Sequence, residues 1–370
     1  MYSQNELDDA VAAGAISSES AAALRNFIES QRSSPAVDEE QFRLITGFND
    51  IFVSIAAVIL LVAVGWIGQW LGDALGTAVE GDGPSFLAPA AVAATSWGLA
   101  LFFTAKRRMA LPSILLLLAF VGSLFAASAF ALVLMIGTAS LENNEQLAGV
   151  VAAASGAIAA GGAWLHWKRF RVPITVAAGA AAACAIAVGL LVAAIGPDAE
   201  RLHDIVLGFV LVLGIAIFLV AMRWDSSDPA RVTRRSDVAF WLHLLAAPMI
   251  VHPVFTLLGL NDGNATILEG LVVILLYIAI GLTALAIDRR ALLVSALAYV
   301  LFALNEMFKQ FGAIELNIAL TALVIGSALL LLSAFWHQAR EAVVRPLPEG
   351  LKAKLPVLDR AAVAASQPAA

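Results

Sequence analysis

Ionisable and amide side chains are concentrated in the last four long apolar segments of this sequence. Such side chains are costly in hydrocarbon and often line a site or an ion pathway, so each is a candidate functional residue. If the apolar segments cross the membrane in alternating directions, one set of these residues lies toward the same membrane surface and predicts a polar cavity there. This set comprises His252, Glu269, Asn305, Glu306, Lys309, Glu315 and Asn317.

Glu306 and Lys309 have the i,i+3 spacing of a helical ion pair. Glu306 lies about five residues from the end of its segment, which places it roughly 7 to 8 Å deep. Two interpretations remain open. The residues line a cavity that opens to the outside, with Glu306 and His252 in its wall, or they are interfacial caps and structural ion pairs.

His243 is a secondary candidate on the same segment as His252. Nine residues place the two imidazoles on opposite faces of a straight helix, so a shared metal is not expected. The alternative for each is a histidine that is hydrogen-bonded within the helix bundle. The single cysteine, Cys184, cannot form a disulfide within the chain or a cysteine-based metal site.

Composition assigns the chain to a membrane. Of its 370 residues, 61% are hydrophobic and 14% are charged, and the mean hydropathy is +0.88. In lipid every backbone N–H and C=O must be bonded within the protein, and the apolar runs are too long for barrel strands. The predicted class is therefore all-α and polytopic, with the lipid bilayer as its main partner.

Runs of about 17 to 25 apolar residues predict ten transmembrane helices. They are Ile51–Gly72, Phe86–Thr104, Leu111–Gly137, Leu147–Leu165, Pro173–Ile195, Ile205–Met222, Val238–Leu258, Thr266–Ile287, Ala291–Phe311 and Ile314–Trp336.

Basic residues give these spans a direction. If the spans alternate, all of the 22 Lys and Arg residues except Arg201 and Lys309 fall on one side. Cytoplasmic segments retain positive charge, so both termini are predicted to be cytoplasmic. The polar residues described first then approach the outer leaflet.

The predicted organisation has four parts. Residues 1–34 form a cytoplasmic helical hairpin with Gly14 as a helix stop and Ser17 as an N-cap, and residues 35–50 form an amphipathic linker. Residues 51–336 form the ten-helix domain, and residues 337–370 form a cytoplasmic tail with a short interfacial helix. The hairpin is either a packing cap or a docking site for a cytoplasmic protein.

The segment from Leu7 to Ile28, with its core AVAAGAISSESAAAL, resembles the start of an uncharacterised family of bacterial multi-pass membrane proteins. The resemblance covers this hairpin and implies a bacterial inner membrane, without an activity. The order of ten spans with cytoplasmic termini is also similar to the drug/metabolite transporter architecture, from which the long acidic N-terminal segment departs.

Three functional hypotheses follow. The first is a permease for a small molecule or ion, with its site in spans seven to ten. The second is a non-catalytic scaffold or sensor whose hairpin binds a cytoplasmic partner. An enzyme is disfavoured because metal-binding, phosphate-binding and nucleophile motifs are missing, and no cofactor is expected. A basic reading domain for nucleic acid is also missing.

Overall fold

The protein is described by a computed structural model in which the regular secondary structure is helical, which confirms the all-α polytopic class. The chain divides into two compact units, Met1–Phe42 and Arg43–Ala370. The residues that the structure describes are 11, 13–24, 48–81, 83–142, 144–195, 201–229, 231, 233–259, 267–310, 316–352 and 354–358.

In the first unit, the described residues include the turn of the predicted hairpin. Gly14 has a positive φ of 69°, and its N–H donates to the carbonyl oxygen of Val11 at 3.0 Å. A helix stop at glycine has this geometry. The Ser17 hydroxyl accepts the N–H of Ser20 at 3.0 Å, as expected of an N-cap. Residues 25–47, which hold most of the predicted linker, lie outside the described residues.

The second unit is built from consecutive long helices. Each of the predicted spans coincides with one of them. The helices are α1 (Phe48–Ala74), α2 (Leu87–Phe103), α3 (Ala110–Ile136), α4 (Glu145–Phe170), α5 (Ile174–Ile195), α6 (Leu202–Ser226), α7 (Arg234–Leu257), α8 (Ile267–Ile287), α9 (Ala291–Gln310) and α10 (Asn317–Ala334).

Within the described residues, the seven helices α1 and α3 to α8 are long and apolar enough to cross a membrane. The helix α10 reaches this length only together with α11 (Trp336–Val344), and the two axes are bent by 76°. The helices α2 and α9 are shorter in their apolar part. A multi-pass membrane protein is therefore the plain interpretation, while ten crossings stay a prediction.

Large apolar side chains of α1 point away from the protein interior. Phe52, Ile59 and Ile67 each expose about two thirds of their surface, and Trp66 and Trp70 expose even more. An apolar surface of this kind is suited to lipid rather than water, and tryptophans near a helix end are typical of the membrane interface. The exposed side chains therefore fit contact with the lipid bilayer.

The helix α7 is the central helix of the second half and contacts α5, α6 and α9. Its first half packs through Val238, Leu242 and Ala246 against α5 and α6. Its second half packs through Val251 and Phe255 against α8 and α9. Side chains at either end of α7 are therefore held by neighbours on several sides.

The connections that carry the basic residues gather at one end of the bundle, here called the basic end. Phe170, at the end of α4, packs against Ala100 of α2 and Leu116 of α3. Trp167 packs against the cluster that contains Ala221 and Val238 of α6 and α7. The contacts described below add the α8–α9 connection. The cytoplasmic location of this end remains the prediction from charge.

Candidate functional site

The basic end contains a buried group of charged side chains, here called the ionic cluster. Three carboxylates and three guanidinium groups belong to it, with His243 beside them, and each of these residues is less than 8% exposed. The charged members are Asp225, Asp228, Asp288, Arg231, Arg289 and Arg340.

Asp225, in the last turn of α6, is the anion at the centre of the cluster. Its Oδ1 lies 2.5 Å from Nη2 of Arg289, and its Oδ2 lies 3.2 Å from Nε of the same side chain. The Nε2 of His243, on α7, lies 3.0 Å from Oδ2. This carboxylate therefore joins α6, α7 and the α8–α9 connection through paired, charge-assisted contacts.

The backbone conformation of the α8–α9 connection orients the Arg289 side chain toward the interior of the bundle. Asp288 has a positive φ of 54°, and the N–H of Arg289 returns to the carbonyl oxygen of Ala284 at 2.9 Å. This left-handed residue ends α8 and reverses the chain. The Arg289 guanidinium then also donates to the carbonyl oxygen of Ser236 at 3.1 Å, at the start of α7.

A second pair lies beside the first. Nη1 of Arg231 donates to Oδ2 of Asp288 at 2.9 Å, and Nη2 donates to the carbonyl oxygens of Ile287 at 2.8 Å and Asp288 at 3.1 Å. Arg231 itself has a positive φ of 55°, which costs energy for a residue with a Cβ. The α6–α7 connection is therefore held to the α8–α9 connection by contacts that offset this cost.

The remaining carboxylate organises the start of α7. Oδ2 of Asp228 accepts the N–H of Thr233 at 2.9 Å and its hydroxyl at 2.7 Å. The Thr233 hydroxyl oxygen in turn accepts the N–H of Arg235 at 3.2 Å. This is an N-cap, and it fixes where α7 begins.

The C-terminal segment completes the cluster. The indole N–H of Trp336 donates to Oδ1 of Asp288 at 2.8 Å. Arg340, which is 1% exposed, donates to the carbonyl oxygens of Pro356 at 2.6 Å and Val357 at 3.2 Å. The predicted tenth span ran through to Trp336, whereas the helix ends at Ala334. Trp336 instead begins α11.

The sequence-predicted residues are divided between two places. His243 belongs to the ionic cluster. His252, which is exposed, forms a 2.6 Å hydrogen bond through Nδ1 with the hydroxyl of Tyr299 on α9. Glu269 and Asn305 are half-buried, and both have polar or ionic interactions.

The rest of the predicted polar site falls outside the described residues. This applies to the side chains of Glu306, Lys309 and Asn317 and to the whole of Glu315. The Glu306–Lys309 pair and a cavity lined by Glu306 therefore stay predictions.

The ionic cluster itself was missed by sequence reasoning, which read Arg231, Arg289 and Arg340 as ordinary cytoplasmic charges. A signal was present. Asp225 and Asp288 each stand at the end of a long apolar helix, within a few residues of arginines. An acidic residue within an otherwise basic connection indicates pairing rather than a solvated positive surface.

The chemistry available to the cluster is charge pairing and hydrogen bonding. Among the described residues, no three His, Cys, Asp or Glu side chains are placed so that they could hold a metal ion. A carboxylate shared by a guanidinium and an imidazole can bind or release partners when the helices move.

Two open cavities lie away from the cluster. One, of about 550 Å³, is lined by residues of α1, α2 and α3 that are apolar except for Ser123. The other, of about 500 Å³, lies between the C-terminal half of α3 and the N-terminal part of α4, at the end of the bundle opposite the cluster. Neither is lined by His252, Glu269 or Asn305.

No family model, curated protein or solved structure matches this chain.

Proposed function

We propose that the protein is a permease of the bacterial inner membrane that moves a small molecule or ion. In this proposal, polar residues of α7 to α10 near the outer leaflet form the transport site. The ionic cluster closes the cytoplasmic side of the bundle. The observation that carries the proposal is the burial of Asp225 between Arg289 and His243 at the junction of three chain segments.

The energetics of buried ion pairs favour a role as a closure that can open, rather than a purely structural role. Desolvation of two charges offsets much of their attraction, so an apolar contact of similar volume is often as stable or more stable. When an ion pair separates into water, each charge regains hydration. The free energy needed to separate the pair is therefore lower than the contact distances suggest. Such a contact is suited to repeated opening.

The arrangement of the cluster also fits a closure. Its members lie on connections and helix ends, and each pair links different segments: Asp225 with Arg289, and Arg231 with Asp288. Movement of α6 and α7 relative to α8 and α9 would separate both pairs together. Alternating access in many transporters is such a movement of one helix group against another.

The opposite half of α7 supplies the polar groups that a transport site needs. The His252–Tyr299 hydrogen bond joins α7 and α9, nine residues beyond His243. This spacing is roughly 13 Å along the helix. With Glu269, Asn305 and the predicted Glu306, these side chains would face a substrate that enters from outside.

Cysteine accessibility tests the proposal without knowledge of the substrate. In a Cys184→Ser background, Val251→Cys places a thiol on α7 between His243 and His252, at a position that is 2% exposed. A membrane-impermeant, anionic methanethiosulfonate is added to inside-out vesicles. Compared with the intact cluster, the Asp225→Asn, Arg289→Gln double substitution should raise the labelling rate at least tenfold.

Two controls separate opening from unfolding. The exchanged pair Asp225→Arg, Arg289→Asp restores opposite charges and should return labelling toward the rate of the intact cluster. Val212→Cys, on a 60% exposed position of α6, should stay unlabelled in every background because lipid covers it. Equal labelling of Val251→Cys with and without the cluster would contradict the permease and favour a sealed bundle.

A scaffold or sensor is the second candidate, and the tail contacts are the observation that favours it. Arg340 binds carbonyl oxygens of Pro356 and Val357, which couples the C-terminal segment to the cluster through Asp288. A partner that binds the tail would then act on the helix ends, and the N-terminal hairpin stays the predicted docking site for a cytoplasmic protein. This candidate predicts that Val251→Cys is protected from reagent on both sides of the membrane.

A further inference from the structure

The 500 Å³ cavity at the end of the bundle opposite the ionic cluster has two acidic residues on its rim, and it is here called the acid-rimmed pocket. Glu80 comes from the α1–α2 connection and Glu142 from the connection between α3 and α4. The walls are apolar and include Phe125 and Val133 of α3 and Ala152 of α4. The pocket thus combines an apolar interior with negative charge at its mouth.

The pocket extends along the helices. Phe125 lies eleven residues before the end of α3 at Ile136, about 16 Å along the axis, whereas Glu142 follows that end. A volume of 500 Å³ lies within the range of small-molecule sites. An occupant would therefore place one end beside the carboxylates and the other among apolar side chains inside the membrane.

The rim residue Glu80 is held by an ordered loop. Gln69 of α1 donates to the carbonyl oxygen of Gly83 at 3.0 Å and accepts the N–H of Ser85 at 2.9 Å. An antiparallel bridge joins Ala78 to Ser85. Glu80 lies within this closed loop with a positive φ of 55°. The carboxylate is therefore carried by a backbone that other contacts position.

We propose that the acid-rimmed pocket binds an amphipathic organic cation, with its charged head between Glu80 and Glu142 and its apolar body against α3 and α4. Charge complementarity selects this class. Two carboxylates at the mouth attract a cation and repel the phosphate of a phospholipid, while the apolar wall disfavours a small hydrated ion. The pocket lies in the first half of the chain and does not depend on the permease proposal.

Radiolabelled tetraphenylphosphonium is a suitable probe because it joins a permanent positive charge to an apolar body. Binding is measured to the full chain in phosphatidylcholine nanodiscs, with empty nanodiscs as the background. The Glu80→Gln, Glu142→Gln double variant should raise Kd at least tenfold. Glu145→Gln is the matched control, since Glu145 is exposed nearby but does not line the pocket, and it should change Kd less than twofold.

A second variant tests the contribution of the apolar wall of the acid-rimmed pocket. Ala129→Leu fills the pocket without changing charge and should also weaken binding, whereas a purely superficial charge effect would leave its Kd unchanged. Added salt should weaken binding to the unsubstituted protein more than to the double variant. Equal affinity in all variants, or a bound phospholipid that the glutamate substitutions leave in place, would overturn the proposal.

Discussion

The guanidinium of Arg289 meets the carboxylate of Asp225, 64 residues earlier in the chain, through two contacts of 2.5 and 3.2 Å. Both side chains are almost fully buried. Because the third contact of this carboxylate is His243, one short side chain ties together α6, α7 and the α8–α9 connection.

Removal of one partner should destabilise the protein more than removal of both charges. Asp225→Asn leaves the Arg289 charge buried without its anion, at a cost of about 3 to 5 kcal/mol. The Asp225→Asn, Arg289→Gln double substitution should recover part of this loss. Thermal unfolding in detergent measures the order of the three proteins. Lys352→Gln removes the exposed pair with Glu349 and should change stability by less than about 0.5 kcal/mol.

An order in which the double variant is the least stable would contradict this account. The stability of the protein would then depend on the number of charges in the cluster rather than on the balance of positive and negative charge.

Arg340 should control whether the C-terminal segment stays attached. Arg340→Met removes the donors to Pro356 and Val357 but keeps an apolar stem in the buried position. The segment after α11 should then be cleaved several-fold faster in limited proteolysis, because its backbone loses those bonds. Arg345→Met, at an exposed position, is the control. Equal cleavage of both variants would show that burial of Leu355 alone holds the segment.

The crossing of α4 and α5 is close, and an added methyl group there should be destabilising. A Cβ on Gly149 would lie 2.5 Å from the carbonyl oxygen of Gly189 and 2.6 Å from the amide nitrogen of Ala193. Gly149→Ala should therefore cost about 1 to 3 kcal/mol by overpacking. Gly161→Ala, where a Cβ meets nothing within 4 Å, should be neutral or slightly stabilising. Thermal unfolding of the two variants compares them, and equal shifts would argue against the crossing.

The His252–Tyr299 hydrogen bond should appear as a coupling between the two positions. Tyr299→Phe and His252→Ala are combined in a double-mutant cycle, and an interaction of about 0.5 to 1.5 kcal/mol is expected in unfolding. Tyr277→Phe serves as the control in a cycle with His252→Ala, because Tyr277 is on α8 and its buried hydroxyl has no hydrogen-bond partner among the described residues. Additive effects at 252 and 299 would remove the link between α7 and α9 from the transport proposal.

The orientation of the helix bundle across the membrane can be tested by cysteine labelling. In the Cys184→Ser background, Arg107→Cys lies at the basic end and Glu142→Cys at the opposite end. An impermeant maleimide should label Glu142→Cys on intact cells and Arg107→Cys only after the membrane is made permeable. The reverse pattern would invert the predicted topology and place the ionic cluster outside.

Helix positions in this protein could be predicted from local pattern. Apolar runs of bilayer length forced helices, because the backbone must satisfy its own hydrogen bonds in lipid. The predicted starts and ends differ from those of α2, α5 and α8 by at most one residue. Small residues in membrane helices allow close approach, and a Cβ at Gly68 or Gly156 would meet the backbone of a neighbouring helix.

The partners of the charged side chains could not be predicted in the same way. Asp225 lies in the last turn of α6, Arg231 in the α6–α7 connection and Arg340 on the short helix α11. At each of these places a charged side chain is equally suited to cytoplasmic water. Their burial depends on which turns meet, and this is decided by long-range packing of α6, α7 and the C-terminal segment. Local hydropathy carries no information on that packing.

The two histidines of α7 illustrate what could be predicted from the sequence and what could not. Sequence placed His243 and His252 on one helix at different depths, since helical rise converts their nine-residue spacing into roughly 13 Å. It gave no means to pair His243 with Asp225 or His252 with Tyr299, which are 18 and 47 residues away. Membrane insertion follows from one-dimensional hydropathy, whereas each pairing requires the three-dimensional contact of separate helices.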